Sequence, residues 1–377
     1  MDRKFYLDLA ASGLCIPIAT DLVLHEHADH NRILTDGTRL GAVIKETAER
    51  FGSPLAFPLM DLSLEKTALL SMLGVPADQI GTYHMTAPPT DRQMRQVRRR
   101  LGGAYDPRLS AQLDAITWIS SNTSLVPVGI TIGPFSLMTK LVADPITPLY
   151  LAASGALGAY DPELQMIERC LELATQVILR SLNAQILAGA EMVFVAEPAA
   201  NVAYISPNQI EAGSDVFDRF VMKCNQRLRS TMRAWDVDLL FHCCGEVTPY
   251  MIRKFCELDP AMLSLGSGRK LWEDAQVVPQ STVLYGNLPS KRFYSDDLMP
   301  LAEVRQAARD LKGRMAETGH PFILGSECDI LCVPGHEDTI MAKAAGMVQA
   351  VGGNDEEAMA LLACARPGCG HGQAAAS

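Results

Sequence analysis

Hydrophobic positions along this 377-residue chain fall into two alternating patterns. Short continuous apolar runs are bounded by glycine, proline or a polar residue, and longer segments between them repeat their apolar positions every three or four residues. Continuous runs mark parallel strands covered on both faces, and the longer repeat marks amphipathic helices. The runs predict eight strands, at Ile16–Thr20, Leu55–Met60, Val126–Thr131, Met192–Ala196, Leu239–His242, Met262–Leu265, Thr282–Tyr285 and Phe322–Leu324.

Helices are predicted over Gly37–Phe51, Leu64–Leu73, Val216–Trp235, Pro249–Leu258, Leu301–Thr318 and Asp338–Val351. The clearest helix starts after Asp161, which reads as an N-cap with Pro162 at the first helical position. Leu164, Ile167, Leu171, Leu182 and Ile186 form its apolar stripe, and Gly189 ends it. Strands alternating with helices predict one α/β domain, a (β/α)8 TIM barrel over residues 1–355. A doubly wound open sheet is the alternative. Residues 64–123 are too long for one crossover and predict a helical insertion, while 356–377 is expected to hold a C-terminal helix and a frayed tail.

Composition narrows the partners. A formal charge of −10 and a pI near 5.3 argue against nucleic acid or an anionic membrane surface. The sequence has no apolar stretch of about 18 residues and no signal-peptide core near its start, so a cytoplasmic protein is expected. In that setting the ten cysteines read as reduced thiols, Cys170 and Cys224 serving as small buried hydrophobes. In DRQMRQVRRRLGG, the cationic run from Arg92 to Arg100 reads first as a solvated helix face. Its sharper reading is a surface for an acidic partner or an anionic substrate tail.

Barrel chemistry collects at the C-terminal ends of the strands. The fifth predicted strand ends in His242-Cys243-Cys244, and the eighth runs into Glu327-Cys328-Asp329. A zinc ion between these tips could take a nitrogen of His242 and the thiolates of Cys244 and Cys328, leaving a fourth position open as catalytic sites do. Two-residue periodicity turns Cys243 to the opposite side. Glu246 and Glu327 could supply the fourth ligand or orient His242. A second cluster, His25, His27 and His30 in LHEHADHN, lacks HExxH order and reads as a polar loop. Cys364, Cys369 and His371 near the end form a further, weaker metal candidate. Strand-tip polar groups expected to face substrate are Asp21, His25, Asp61, Glu197, Asn201 and Asn287, with Tyr204 and Ser206 in the loop after the fourth strand.

Five segments then carry a resemblance: GPFSLMTKLVAD (133–144), AYISPNQI (203–210), FHCCGEV (241–247), VLYGNLPS (283–290) and LGSECDILCVPG (324–335). Together they resemble the uroporphyrinogen decarboxylase superfamily, and within it the branch of cobamide-dependent methyltransferases. That branch's zinc motif, His-x-Cys with a distant Cys, falls on His242, Cys244 and Cys328. The resemblance implies a (β/α)8 barrel whose zinc ion activates a thiol or a methylated substrate, moving a methyl group to or from cobalamin. No DxHxxG cobalt-ligating pattern occurs in the sequence, so the cobalamin is expected on a separate corrinoid protein. The small-molecule methyl donor or thiol or folate acceptor is left open, and a homodimer is compatible with the chain.

The decarboxylases carry an RQAGR stretch after the first strand, where this chain has ATDLVLHEHADHN. That departure argues against porphyrinogen decarboxylation. The competing expectations are a metal-free lyase of the decarboxylase type, in which Asp61 rather than zinc does the work, and a non-catalytic corrinoid-chaperone or scaffold role. Glu246 stands beside Asp61 as the other candidate catalytic carboxylate.

Overall fold

A computed structural model describes residues 3–352. Eight parallel strands form one curled sheet, flanked by helices, in a (β/α)8 TIM-barrel fold: β1 (Cys15–Ile16), β2 (Leu55–Ala56), β3 (Val126–Ile132), β4 (Met192–Ala196), β5 (Asp238–Cys243), β6 (Met262–Leu265), β7 (Val283–Leu288) and β8 (Phe322–Ser326). Hydrogen-bonded neighbours run β1-β8-β7-β6-β5-β4-β3-β2, so the two ladder ends are consecutive in the chain. All eight sequence-predicted strands are present. The first two are much shorter than expected, and proline explains this. Pro17 and Pro58 have no N–H to donate and sit just where the ladders of β1 and β2 stop. Side chains bridge the resulting seam: Thr20 Oγ1 donates to Phe57 O at 2.7 Å, and Asp329 Oδ2 accepts from Met60 N at 3.2 Å. In the other direction, β7 runs on through Gly286 and Asn287 to Leu288.

Two apolar layers result from strand alternation. The barrel interior holds Ile16, Leu55, Val128, Phe194, Leu240, Met262, Tyr285 and Ile323, while the alternate residues pack outward against the helices. Phe57 meets Phe194 edge-on and lies tilted against Tyr285, filling the centre. An N-terminal helix, Arg3–Ala11, was not expected from the sequence; it adds Phe5, Tyr6, Leu9 and Ala10 to this interior cluster.

Asp161 accepts from Leu164 N and caps helix Pro162–Leu187, and Gly189 takes a φ of +104° just past its end. Between β2 and β3, the stretch 64–123 carries helices Leu64–Leu73, Asp91–Arg100 and Pro107–Asn122. Among the described residues no helix is long and apolar enough to cross a membrane. Cys364, Cys369, His371 and the tail 356–377 lie outside the described residues.

Candidate metal centre

Strand β5 places its even-numbered side chains inside the barrel: Leu240 belongs to the interior cluster, and His242 lies 5.2 Å from the Phe194 ring. Cys243 faces outward, fully buried, with its thiol 3.6 Å from Ala200 O. The two-residue period therefore brings Cys244 back to the side of His242, as expected from the sequence. The last residues of β8 lead into Cys328 from across the mouth. The ligand atoms of His242, Cys244 and Cys328 all lie within 4.8 Å of one another. From zinc bond lengths, tetrahedral coordination needs ligand separations of roughly 3.5–4 Å, so small side-chain adjustments suffice.

The chemistry of the donors fits a metal ion. His242 Nδ1 is 2.9 Å from Ser264 Oγ, while Nε2 is buried without any partner. With Nδ1–H donating to the serine, Nε2 keeps its lone pair aimed at the two sulfurs. A buried imidazole nitrogen left unpaired costs stability unless something binds it. Cys244 and Cys328 are both free thiols. The Cys328 thiol donates to Cys244 and holds the latter's pKa well below its ordinary value; burial opposes this, and His242 and the Lys291 ammonium reinforce it. The same hydrogen bond, together with burial, pushes Cys328 upward. One sulfur is thus already disposed to carry negative charge. Burial alone would lower the Lys291 pKa, but the fields of Cys244, Glu327 and Cys328 raise it.

Backbone fit matters as much. A Cβ on Gly266, just beyond β6, would lie 2.4 Å from Cys244 O, so only glycine lets β6 come this close to the tip of β5. Arg269 Nη1 donates to Val247 O at 3.1 Å and Asn287 Nδ2 to Gly266 O at 2.7 Å, lacing the loops after β5, β6 and β7 together. Asn287 is thereby spent on loop structure, donating also to Arg269 O.

The remaining sequence candidates are dispersed. Glu246 is exposed, and Glu327 Oε2 accepts from Ser267 N at 3.0 Å; among the described residues no fourth His, Cys, Asp or Glu joins the trio. Glu197 is fully buried and accepts from Phe135 N, Ser136 N, Ser136 Oγ and Asn225 Nδ2. These contacts fix the start of the helix at Pro134. Burial raises its pKa against those bonds. Asp61 pairs with Arg108 at 2.8 Å and accepts from Ser63 N and Oγ. Asp21 Oδ2 accepts from Cys332 N at 2.8 Å. Asn201 holds its own loop through Pro198 O and Ala203 N. Tyr204 packs edge-on against Phe135, and Ser206 precedes helix Pro207–Glu211 without capping it through its side chain. His25 stacks on His30 with ring centroids 4.6 Å apart, and His27 reaches Glu46 at 3.4 Å. That loop is polar, as its sequence suggested.

Sequence reasoning overlooked Ser264, Lys291 and Met60, whose sulfur lies 3.5 Å from Cys328 Sγ. Ser264 had a readable signal: it is the lone polar residue in β6, at the position paired with His242.

No curated protein sequence matches the chain. Among solved structures, a methyltransferase from Methanosarcina mazei shares the fold, with a TM-score of 0.63 at 17% identity over 91% of this chain and 97% of its own. Residues 42–351, most of the barrel including His242, Cys244 and Cys328, match the uroporphyrinogen decarboxylase (URO-D) model, and the chain belongs to that family.

Proposed function

We propose that the chain is a zinc-dependent methyltransferase that moves a methyl group between a small substrate and the cobalamin of a separate corrinoid protein. The observation that carries this reading is the buried, unpartnered Nε2 of His242 facing two free thiols at the barrel mouth. His242, Cys244 and Cys328 would hold the ion. When bound, zinc supplies Lewis acidity to a substrate thiol or to the heteroatom that carries the methyl group.

The chain's own groups do the rest. Ser264 fixes the imidazole tautomer and its orientation. Lys291 offsets the negative charge gathered on the two cysteines and draws an anionic substrate atom toward them. Three protein ligands would leave a coordination position for substrate, as in catalytic rather than structural sites. The barrel shared with the Methanosarcina mazei methyltransferase is a scaffold compatible with that chemistry.

The competing metal-free lyase relies on Asp61, but Asp61 is occupied by Arg108 and Ser63. Two measurements test the proposal together. Elemental analysis of purified protein should find about one zinc per chain. Corrin absorbance should change when the protein is mixed with methylcobalamin and thiols, or with cob(I)alamin and methylated donors. Zinc-free protein that still turned over, or a zinc-loaded protein inert with every donor and thiol, would sink it.

A further inference from the structure

The helical insertion builds two adjoining cavities, of about 630 and 410 Å³, that share Ser71 and Asp106 as lining residues. Lys66 and Lys140 line the first; Arg99, Arg100 and Arg180 line the second. Five cations thus line the groove with one carboxylate, Asp106, and the fields of Asp61 and Glu65 reach Lys140, in a protein whose net charge is −10. Four of them bond only to neutral main-chain oxygens. Lys66 Nζ reaches Gly81 O at 3.1 Å, Lys140 Nζ reaches Leu62 O at 3.3 Å and Arg100 Nη1 reaches Met72 O at 2.8 Å. Arg180 donates to Leu101 O, Gly103 O and Ala104 O. Among the described residues none of these four forms an ion pair.

Burial and the neighbouring Lys140 lower the Lys66 pKa, and burial lowers that of Lys140 against the fields of Asp61 and Glu65. The first turn of helix Leu64–Leu73 opens beside the first cavity, and its N-cap Ser63 gives that helix no side-chain hydrogen bond because its hydroxyl is committed to Asp61. Like charges gathered in a concave site and held only by main-chain oxygens favour a ligand that brings the counter-charge.

We propose that this groove binds a small-molecule oligo-anion, one carrying two or more carboxylate or phosphate groups. Resting on the methyl-transfer reading, that molecule is the methyl donor or acceptor, held by its charged end. The location supports the link. Leu62 and Ser63 line the first cavity, and Met60 touches Cys328; three residues of chain span at most about 10 Å. The arginines of the second cavity extend the site outward for a tail too long for the lysine cavity, and their planar forks suit paired oxyanions.

Calorimetric titration of the full chain at low salt with tripolyphosphate, and separately with triglutamate, tests the groove and distinguishes phosphate from carboxylate. One probe should bind. Lys140→Glu and Arg99→Glu, both on exposed side chains, should each weaken it at least tenfold, whereas Arg309→Glu on the exposed face of helix Leu301–Thr318 should not. Cys328→Ser should leave probe binding intact, so a failure of methyl transfer and a failure of the groove are separately visible. In the corrin assay the bound probe should compete with the methyl donor or acceptor. No binding of either probe, or equal weakening by Arg309→Glu, overturns the groove; non-competitive inhibition overturns its link to the transferred substrate.

Discussion

The interior of the barrel has a lower half and an upper half that obey the same alternation but end differently. Below, the buried polar tips are satisfied by the protein itself. Tyr6 Oη donates to Asp238 Oδ2 at 2.9 Å, and Tyr285 Oη donates to Ile16 O at 2.7 Å, within a packed cluster of Leu9, Phe57 and Phe194. Above, the tips of β5 and β8 present His242, Cys244 and Cys328, and here the polar inventory does not close. His242 Nε2 has no hydrogen-bond partner, and the Cys328 thiol meets another soft atom, the Met60 sulfur at 3.5 Å. A buried polar group with no partner is expensive. At the base His320 Nδ1 is orphaned too, but among the described residues only the mouth gathers such an atom with two thiols, which locates metal binding there.

The strongest way to break this comparison is to remove a ligand. His242→Ala or Cys328→Ser should reduce zinc from about one per chain to less than a tenth, and abolish corrin-linked turnover, with far-ultraviolet circular dichroism unchanged. Metal retained in either variant would mean that the upper half is not a metal site.

The converse change is at the base. Leu9 is fully buried in the N-terminal helix, and Leu9→Ala should cost about 2–5 kcal/mol, read as a lower denaturant midpoint. Zinc per folded chain should stay the same. A loss of zinc without a loss of stability would erase the division between the two halves.

How much of this division the sequence carried depends on the residue. Continuous apolar runs located all eight strands, because parallel strands buried on both faces leave little else to read. Period two placed Cys243 outside and Cys244 inside. The trio was visible because cysteine and histidine at two strand tips are unusual chemistry for a core. The Arg3–Ala11 helix was invisible, since its apolar residues acquire their meaning only from the barrel floor they cover. Gly266 was equally silent: its role is a close approach to Cys244, a long-range fact with no local pattern. Glu197 and Asn201 look alike in the sequence to groups that face substrate, yet their hydrogen bonds in the fold go to its own donors and acceptors.

A third buried location sharpens the comparison, because it has an orphaned atom and no companions. Glu65 accepts from Thr131 Oγ1 and Ser181 Oγ through Oε1, while Oε2 is buried without a partner. Burial raises its pKa from an ordinary 4.5 to about 7, the two hydroxyls offsetting only part of this. Below about pH 4.5 both folded and unfolded chains are protonated there. Between 4.5 and 7 the folded chain keeps a proton the unfolded chain has lost, so stability falls as pH rises, by about 3 kcal/mol in total. Glu65→Gln should flatten that part of the stability–pH curve in chemical denaturation without touching zinc content. An unchanged slope would show that Glu65 is not protonated in the folded protein.

The smallest expected effect tests how the upper half is tuned. Ser264 is the one polar residue of β6 and meets His242 Nδ1 at 2.9 Å. Its hydroxyl can hold the ring so that Nε2 faces the sulfurs, and removing such a partner from a metal-bound histidine weakens the metal by roughly 10–100-fold. Ser264→Ala should therefore leave fold and stoichiometry intact at saturating zinc while raising the dissociation constant by that factor in a competition titration with a chelator. Ser264→Thr keeps the hydroxyl and should restore most of the affinity. If alanine bound zinc as tightly as serine, the His242 orientation would have to come from packing on Phe194 instead, and the polar residue in β6 would be only a neighbour.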